Sequence, residues 1–137
     1  MTLCVPYRSC FPGGLSQGTV LTIRGTPSCT NGWFRLDLLC GDNPNADIAF
    51  HFNPRLDAQH TVAMNSLVRG RWLHEIRTPS LPFQGGQPFH LSIKVEENCF
   101  KVFVDHREFC SFAHRLDVEE VKALEVSGAV TLRSVCT

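Results

Sequence analysis

Short runs of alternating apolar and polar residues dominate the chain. In PFHLSIKV (88–95), Phe89, Leu91, Ile93 and Val95 fall on one side, while His90, Ser92 and Lys94 fall on the other. A two-residue period of this kind marks a strand with one face in a core and one in water. The same reading predicts strands over 18–25, 33–40, 47–53, 61–65, 69–77, 99–105, 108–114, 121–126 and 129–135. Turn clusters such as FPGG, TPSCTNG, GDNPN and QGGQP separate them in the manner of an antiparallel meander. The one rival pattern is RLDVEEVKALEV, where Val118, Val121 and Leu124 recur every three residues. It predicts a single helical turn over Val118–Glu120 before the chain resumes as a strand.

So many short strands, each with one polar face, cannot hide their apolar sides in one flat sheet. Two sheets packed face to face can, with the aromatics between them. The expected fold is therefore all-β, an antiparallel β-sandwich, formed as one domain over residues 1–137. No internal repeat or linker interrupts it. The length of 137 residues supports a real core, and 43% hydrophobic with 19% charged residues argues against disorder.

Charge excludes one class of partner. Lys plus Arg and Asp plus Glu both number 13, so no overall basic field exists to attract nucleic acid or an anionic membrane. No run of about 18 apolar residues offers a membrane span, and MTLCVPYRSC lacks the features of a signal peptide. Synthesis in the cytosol is the expectation. Seven cysteines are scattered without a CxxC pair, and an odd number cannot all pair within one chain, so most are expected to be free thiols. Six histidines are also present, but the short paired spacings of structural zinc are missing, and no metal or cofactor is expected.

Candidate chemistry begins in AFHFNPRLD (49–57). Phe50 and Phe52 point to the core, which sets His51, Asn53 and Arg55 together on the outer face. Such a row alone is a common solubility device. Asn65 closes the next predicted strand, and the one after supplies Trp72, Glu75 and Arg77. Together these residues offer fixed guanidinium forks, an acceptor-only carboxylate, amides that both donate and accept, and a flat aromatic face. A saccharide requires that mixture, because each hydroxyl both donates and accepts while the C–H face of a pyranose packs on a ring. Trp72 and Glu75 are three apart, so a bend or bulge must lie between them for both to reach one face.

HFNPR, an Asn about ten residues on, W-x-x-E-x-R and then PFQ-x-G-x-PF resemble the carbohydrate-recognition domain of the galectins. The likeness runs from GGLSQGTVLTIRG to FAHRLDVEEVKALEVSGAVTL. The resemblance implies a jelly-roll sandwich that binds β-galactosides on a concave face. It places His51, Asn53 and Arg55 on the axial 4-hydroxyl of galactose, and Asn65 and Glu75 on the 6-hydroxyl. It sets Trp72 against the apolar face of the sugar, and Glu75 with Arg55 and Arg77 on the adjoining glucose or N-acetylglucosamine. It further implies glycoprotein or glycolipid partners, cross-linking by a homodimer, and export to the extracellular space without a signal peptide. Outside the cell, Cys4, Cys10 and Cys136 would be open to oxidation.

Two residues depart from the family pattern. Leu73 follows Trp72 where glycine is usual, and Trp33 stands where related chains carry arginine. Both bear on preference beyond the core disaccharide. A protein-interaction role with the fold kept and sugar binding lost would show erosion of the seven polar positions, and none is eroded. A glycosidase would need two flanking carboxylates; Glu75 stands between arginines, and Asp57 lies towards a turn. A thiol hydrolase built on Cys110 and His114 lacks anything to depress the thiol pKa. The expectation is a binding protein, not an enzyme.

Overall fold

The computed structural model describes residues 2–137. In chain order the strands are β1 (Tyr7–Cys10), β2 (Val20–Pro27), β3 (Phe34–Leu39), β4 (Ile48–Arg55), β5 (Thr61–Val68) and β6 (Arg71–Trp72). There follow β7 (Ile76–Arg77), β8 (Phe89–Val95), β9 (Cys99–Val104), β10 (Arg107–Ala113), β11 (Ala123–Gly128) and β12 (Val130–Cys136). A 3₁₀ turn at Val118–Glu120 lies where the three-residue recurrence predicts it. The strands form two antiparallel sheets, as expected of a sandwich. One sheet runs β1-β11-β3-β4-β5-β6 with β7 also on β5, and the other runs β10-β9-β8-β2-β12.

The core is what the period of two selects. Leu21, Ile23, Phe34, Leu36, Leu38, Phe50, Phe52, Leu91, Ile93, Phe100, Val102 and Phe112 are all buried. Phe50 of β4 stacks on Phe100 of β9 at 5.2 Å and on Phe112 of β10 at 4.7 Å, so aromatic contacts join the two layers. Each β4 core ring thus fixes by parity which way its polar neighbours face.

Two departures from the sequence expectations matter. The first is β1, which pairs with β11 although YRSC has no apolar alternation. It is an edge strand, held by its ladder hydrogen bonds and by Tyr7, which packs against the core. The second is the strand expected over 69–77, which breaks into two-residue β6 and β7, both paired to β5. The break brings the candidate site together.

Candidate functional site

Register places the polar residues. On the outer face of the larger sheet, Glu125 of β11 lies opposite Asp37 of β3, Asp37 opposite His51 of β4, and His51 opposite Asn65 of β5. Asn53 lies opposite Ala63, and Ala63 opposite Arg77. Trp72 pairs with Leu67 and Arg77 with Ala63, so five steps along β6–β7 match four along β5. One residue is extra, and this bulge reverses the parity that separates Trp72 from Glu75 and Arg77. Leu73, His74 and Glu75 make the bend with no positive φ, so glycine is not required there. The Leu73 N–H still reaches the Ser66 carbonyl at 3.0 Å.

The two asparagines do not project freely into solvent as the alternation alone suggests. Asn53 is 6% exposed and Asn65 5%, because each amide is clamped by neighbouring groups. Asn53 Nδ2 donates to the Phe34 carbonyl at 2.8 Å, and its Oδ1 accepts from Arg55 Nε at 2.9 Å. Asn65 Nδ2 donates to the Leu73 carbonyl at 3.1 Å, and its Oδ1 accepts from the Ser66 N–H at 2.7 Å and from Arg115 at 3.1 Å. Those partners fix which end of each amide is nitrogen. One amide N–H on each remains as a donor.

His51 is fixed from behind. Its Nδ1 lies 2.6 Å from Oδ1 of Asp37, which is 1% exposed and ion-paired to Arg35. An ionised carboxylate only accepts, so the neutral ring carries its hydrogen on Nδ1 and turns the Nε2 lone pair outward. Arg55 is held on Asn53, on Gln59 Oε1 at 2.7 Å and on Glu75 at 3.3 Å. Glu75 also accepts from Arg77 Nε at 2.7 Å. The hydrogen bond from Arg77 is the main reason that the Glu75 pKa is lowered, with the charge of Arg55 adding to it against a desolvation penalty. Asp37, Arg35, Gln59 and Arg115 are functional neighbours that the motif reading missed. Only strand parity pointed to Arg35 and Asp37, and nothing local pointed to Arg115.

Trp72 is 51% exposed, with its ring centroid 4.8 Å from that of His51. His51, Arg55, Asn65, Trp72, Leu73 and Glu75 line a groove of about 520 Å³. A second hollow of about 450 Å³ shares His51 and Arg55 and extends to Trp33, Asp57 and Gln59. Trp33, 48% exposed, bridges to Arg55 and so borders this outer extension. A larger hollow of about 590 Å³ continues along the sheet beside Arg8, Arg35 and Glu125. Arg8 and Arg35 there are already paired with Asp42, Asp37 and Glu125, and no aromatic ring lines that hollow, whereas Trp72 lines the first groove. A hydroxyl between Asn65 N–H and the Glu75 carboxylate can accept from one and donate to the other. A second, facing His51 Nε2, Asn53 N–H and Arg55, can do the same.

Comparison with known proteins gives a consistent result. A family model described as galactoside-binding lectin matches residues 6–137. Human Galectin-7 is 44% identical over 131 residues, which is 96% of either chain. A 32 kDa beta-galactoside-binding lectin from Caenorhabditis elegans is 40% identical over 131 residues, covering 96% of this chain and 46% of that one. Among solved structures, sheep Galectin-11 in complex with glycerol superposes with a TM-score of 0.90 at 33% identity over 98% of both chains. Human galectin-16 carrying R55N gives 0.89, also at 33% identity, over 98% of this chain and 96% of that one.

Proposed function

The chain belongs to the galactoside-binding lectins, the galectins, and from that premise we propose how its own residues grip the sugar. Galectins are lectins, not enzymes, and this chain is a β-galactoside-binding lectin. His51 Nε2 accepts the proton of the axial 4-hydroxyl of galactose, while Asn53 and Arg55 donate to the oxygen. Asn65 donates to the 6-hydroxyl and Glu75 accepts from it. Trp72 covers the apolar face, and Glu75, Arg55 and Arg77 meet the adjoining glucose or N-acetylglucosamine. The observation that supports this reading is that His51 Nε2, one amide N–H each of Asn53 and Asn65, and part of the Arg55 and Glu75 hydrogen-bonding capacity stay unpaired on one sheet face beside the exposed indole of Trp72.

Selectivity follows from the same arrangement. Glucose turns its 4-hydroxyl equatorial and leaves the His51, Asn53 and Arg55 groups without a partner. Each such desolvated group costs about 1–3 kcal/mol. The grooves are shallow, so one disaccharide is held modestly and avidity requires clustering of sites. The 137 residues accordingly act as one recognition domain that cross-links glycoproteins or glycolipids as a homodimer, made in the cytosol and exported by a non-classical route. Among the described residues no helix is long and apolar enough to cross a membrane. Export that stops when the classical secretory route is blocked would count against this.

Calorimetric titration of the reduced protein with lactose, with sucrose as control, tests the site. Lactose should bind and sucrose should not. Trp72→Ala should weaken lactose by about tenfold or more, equivalent to about 1.4 kcal/mol. Silence with lactose from a folded protein would sink the assignment and favour an interaction role without sugar. Sedimentation of the same sample at two concentrations should give twice the chain mass; a single-chain mass at both would remove the homodimer.

A further inference from the structure

Arg115 stands outside the seven predicted residues and comes from the loop after β10, on the side of the five-stranded sheet. Its guanidinium lies 4.6 Å over the Phe112 ring, and burial lowers its pKa. The fork spans two acceptors on the other sheet: NH1 donates to Asn65 Oδ1 at 3.1 Å, and NH2 to the His74 carbonyl at 2.9 Å. The first bond, with the Ser66 N–H, saturates Asn65 Oδ1 and prevents the amide from flipping. The second pins the β6–β7 turn at the residue just before Glu75. A planar fork can hold both acceptors at once, whereas a lysine ammonium on its flexible stem cannot match that geometry.

We propose that Arg115 is a positioning residue for the galactose 6-hydroxyl, fixing Asn65 as its donor and the turn that presents Glu75 as its acceptor. This rests on the assignment of Asn65 and Glu75 made above. Arg115 itself touches no sugar; its effect passes through the two groups that do. If it served only as a lid on Phe112, its loss would lower stability, or weaken every ligand alike.

The test compares lactose with 6′-deoxylactose, in which hydrogen replaces the galactose 6-hydroxyl, on the full wild-type chain, Arg115→Lys and Arg115→Ala, with thermal melts to confirm folding. The wild type should prefer lactose by about tenfold. The preference should fall to about threefold or less in Arg115→Lys and close to none in Arg115→Ala, while 6′-deoxylactose, which of the Asn65 and Glu75 contacts keeps only that of Glu75 to the adjoining sugar, weakens less than lactose does. Arg115→Lys keeps a cation over Phe112 and carries the test if the alanine variant does not fold. A folded Arg115→Lys variant that keeps the wild-type preference, or one that loses both ligands equally, overturns the proposal. Lack of preference in the wild type overturns the Asn65 and Glu75 assignment as well, and that outcome is seen without any mutation.

Discussion

At the residue scale, Asp37 shows how much of a binding site lies behind the groups that touch ligand. Its side chain is buried, yet it carries a carboxylate whose partners are His51 and Arg35. A buried charge is tolerated only when paired and hydrogen-bonded, and here the pairing sets which ring nitrogen of His51 faces the groove. Asp37→Asn preserves shape but removes the obligatory acceptor, so the ring is free to take either tautomer. Lactose affinity should fall about tenfold, with the fold retained on circular dichroism. Nitrogen NMR of the His51 ring should show Nε2 bare in the neutral wild-type ring and mixed protonation in the variant. An unchanged tautomer and unchanged affinity would refute the role. The sequence displayed Asp37 only as a polar position in WFRLDLLC, since its partner lies 14 residues away.

At the element scale, the β6–turn–β7 segment determines whether the exposed indole and the carboxylate share a face. Its residues read as one strand because RGRWLHEIR alternates loosely. The extra residue is visible only in the pairing with β5, where Leu67 meets Trp72 and Ala63 meets Arg77. The segment also fixes the charge state of its carboxylate. Arg77 on β7 and Arg55 on β4 flank Glu75, and its pKa lies below the 4.5 of an isolated glutamate. A depressed folded pKa keeps the ionised acceptor present to lower pH. Any stability it adds is present above the unfolded value and lost as pH falls through the folded one. With the carboxylate over a third exposed, solvent screening keeps that contribution small. A carbon-detected NMR titration of the Glu75 carboxyl should give a midpoint below 4.5, moving up in Arg77→Ala. A midpoint at or above that value in the wild type would contradict the ion-pair account.

At the scale of the whole molecule, the aromatic contacts between sheets hold the binding face in shape without entering it. Phe50 is fully buried and meets Phe52, Phe100 and Phe112, which come from β4, β9 and β10. Phe50→Ala should lower unfolding free energy in urea by about 3–5 kcal/mol through lost burial and an unfilled cavity. Lactose affinity of the folded fraction should change less than about twofold, because the ring lies on the opposite side of β4 from His51 and Arg55. A large loss of affinity with stability intact would show that core and site are not separable in this way. The period-two alternation was enough to determine the sandwich, nearly every strand, the aromatic core and the outward side of His51, Asn53 and Arg55, because side-chain parity is a local property of extended backbone. It could not determine β1, which shows no apolar alternation and is placed by its pairing with β11 and by Tyr7 on the core, or the bulge that turns Trp72 towards Glu75. Nor could it determine the burial of Asn53 and Asn65, or the reach of Arg115 from one sheet to the other. Those features depend on which strands become neighbours and in what register, a long-range outcome of closing one core between two sheets.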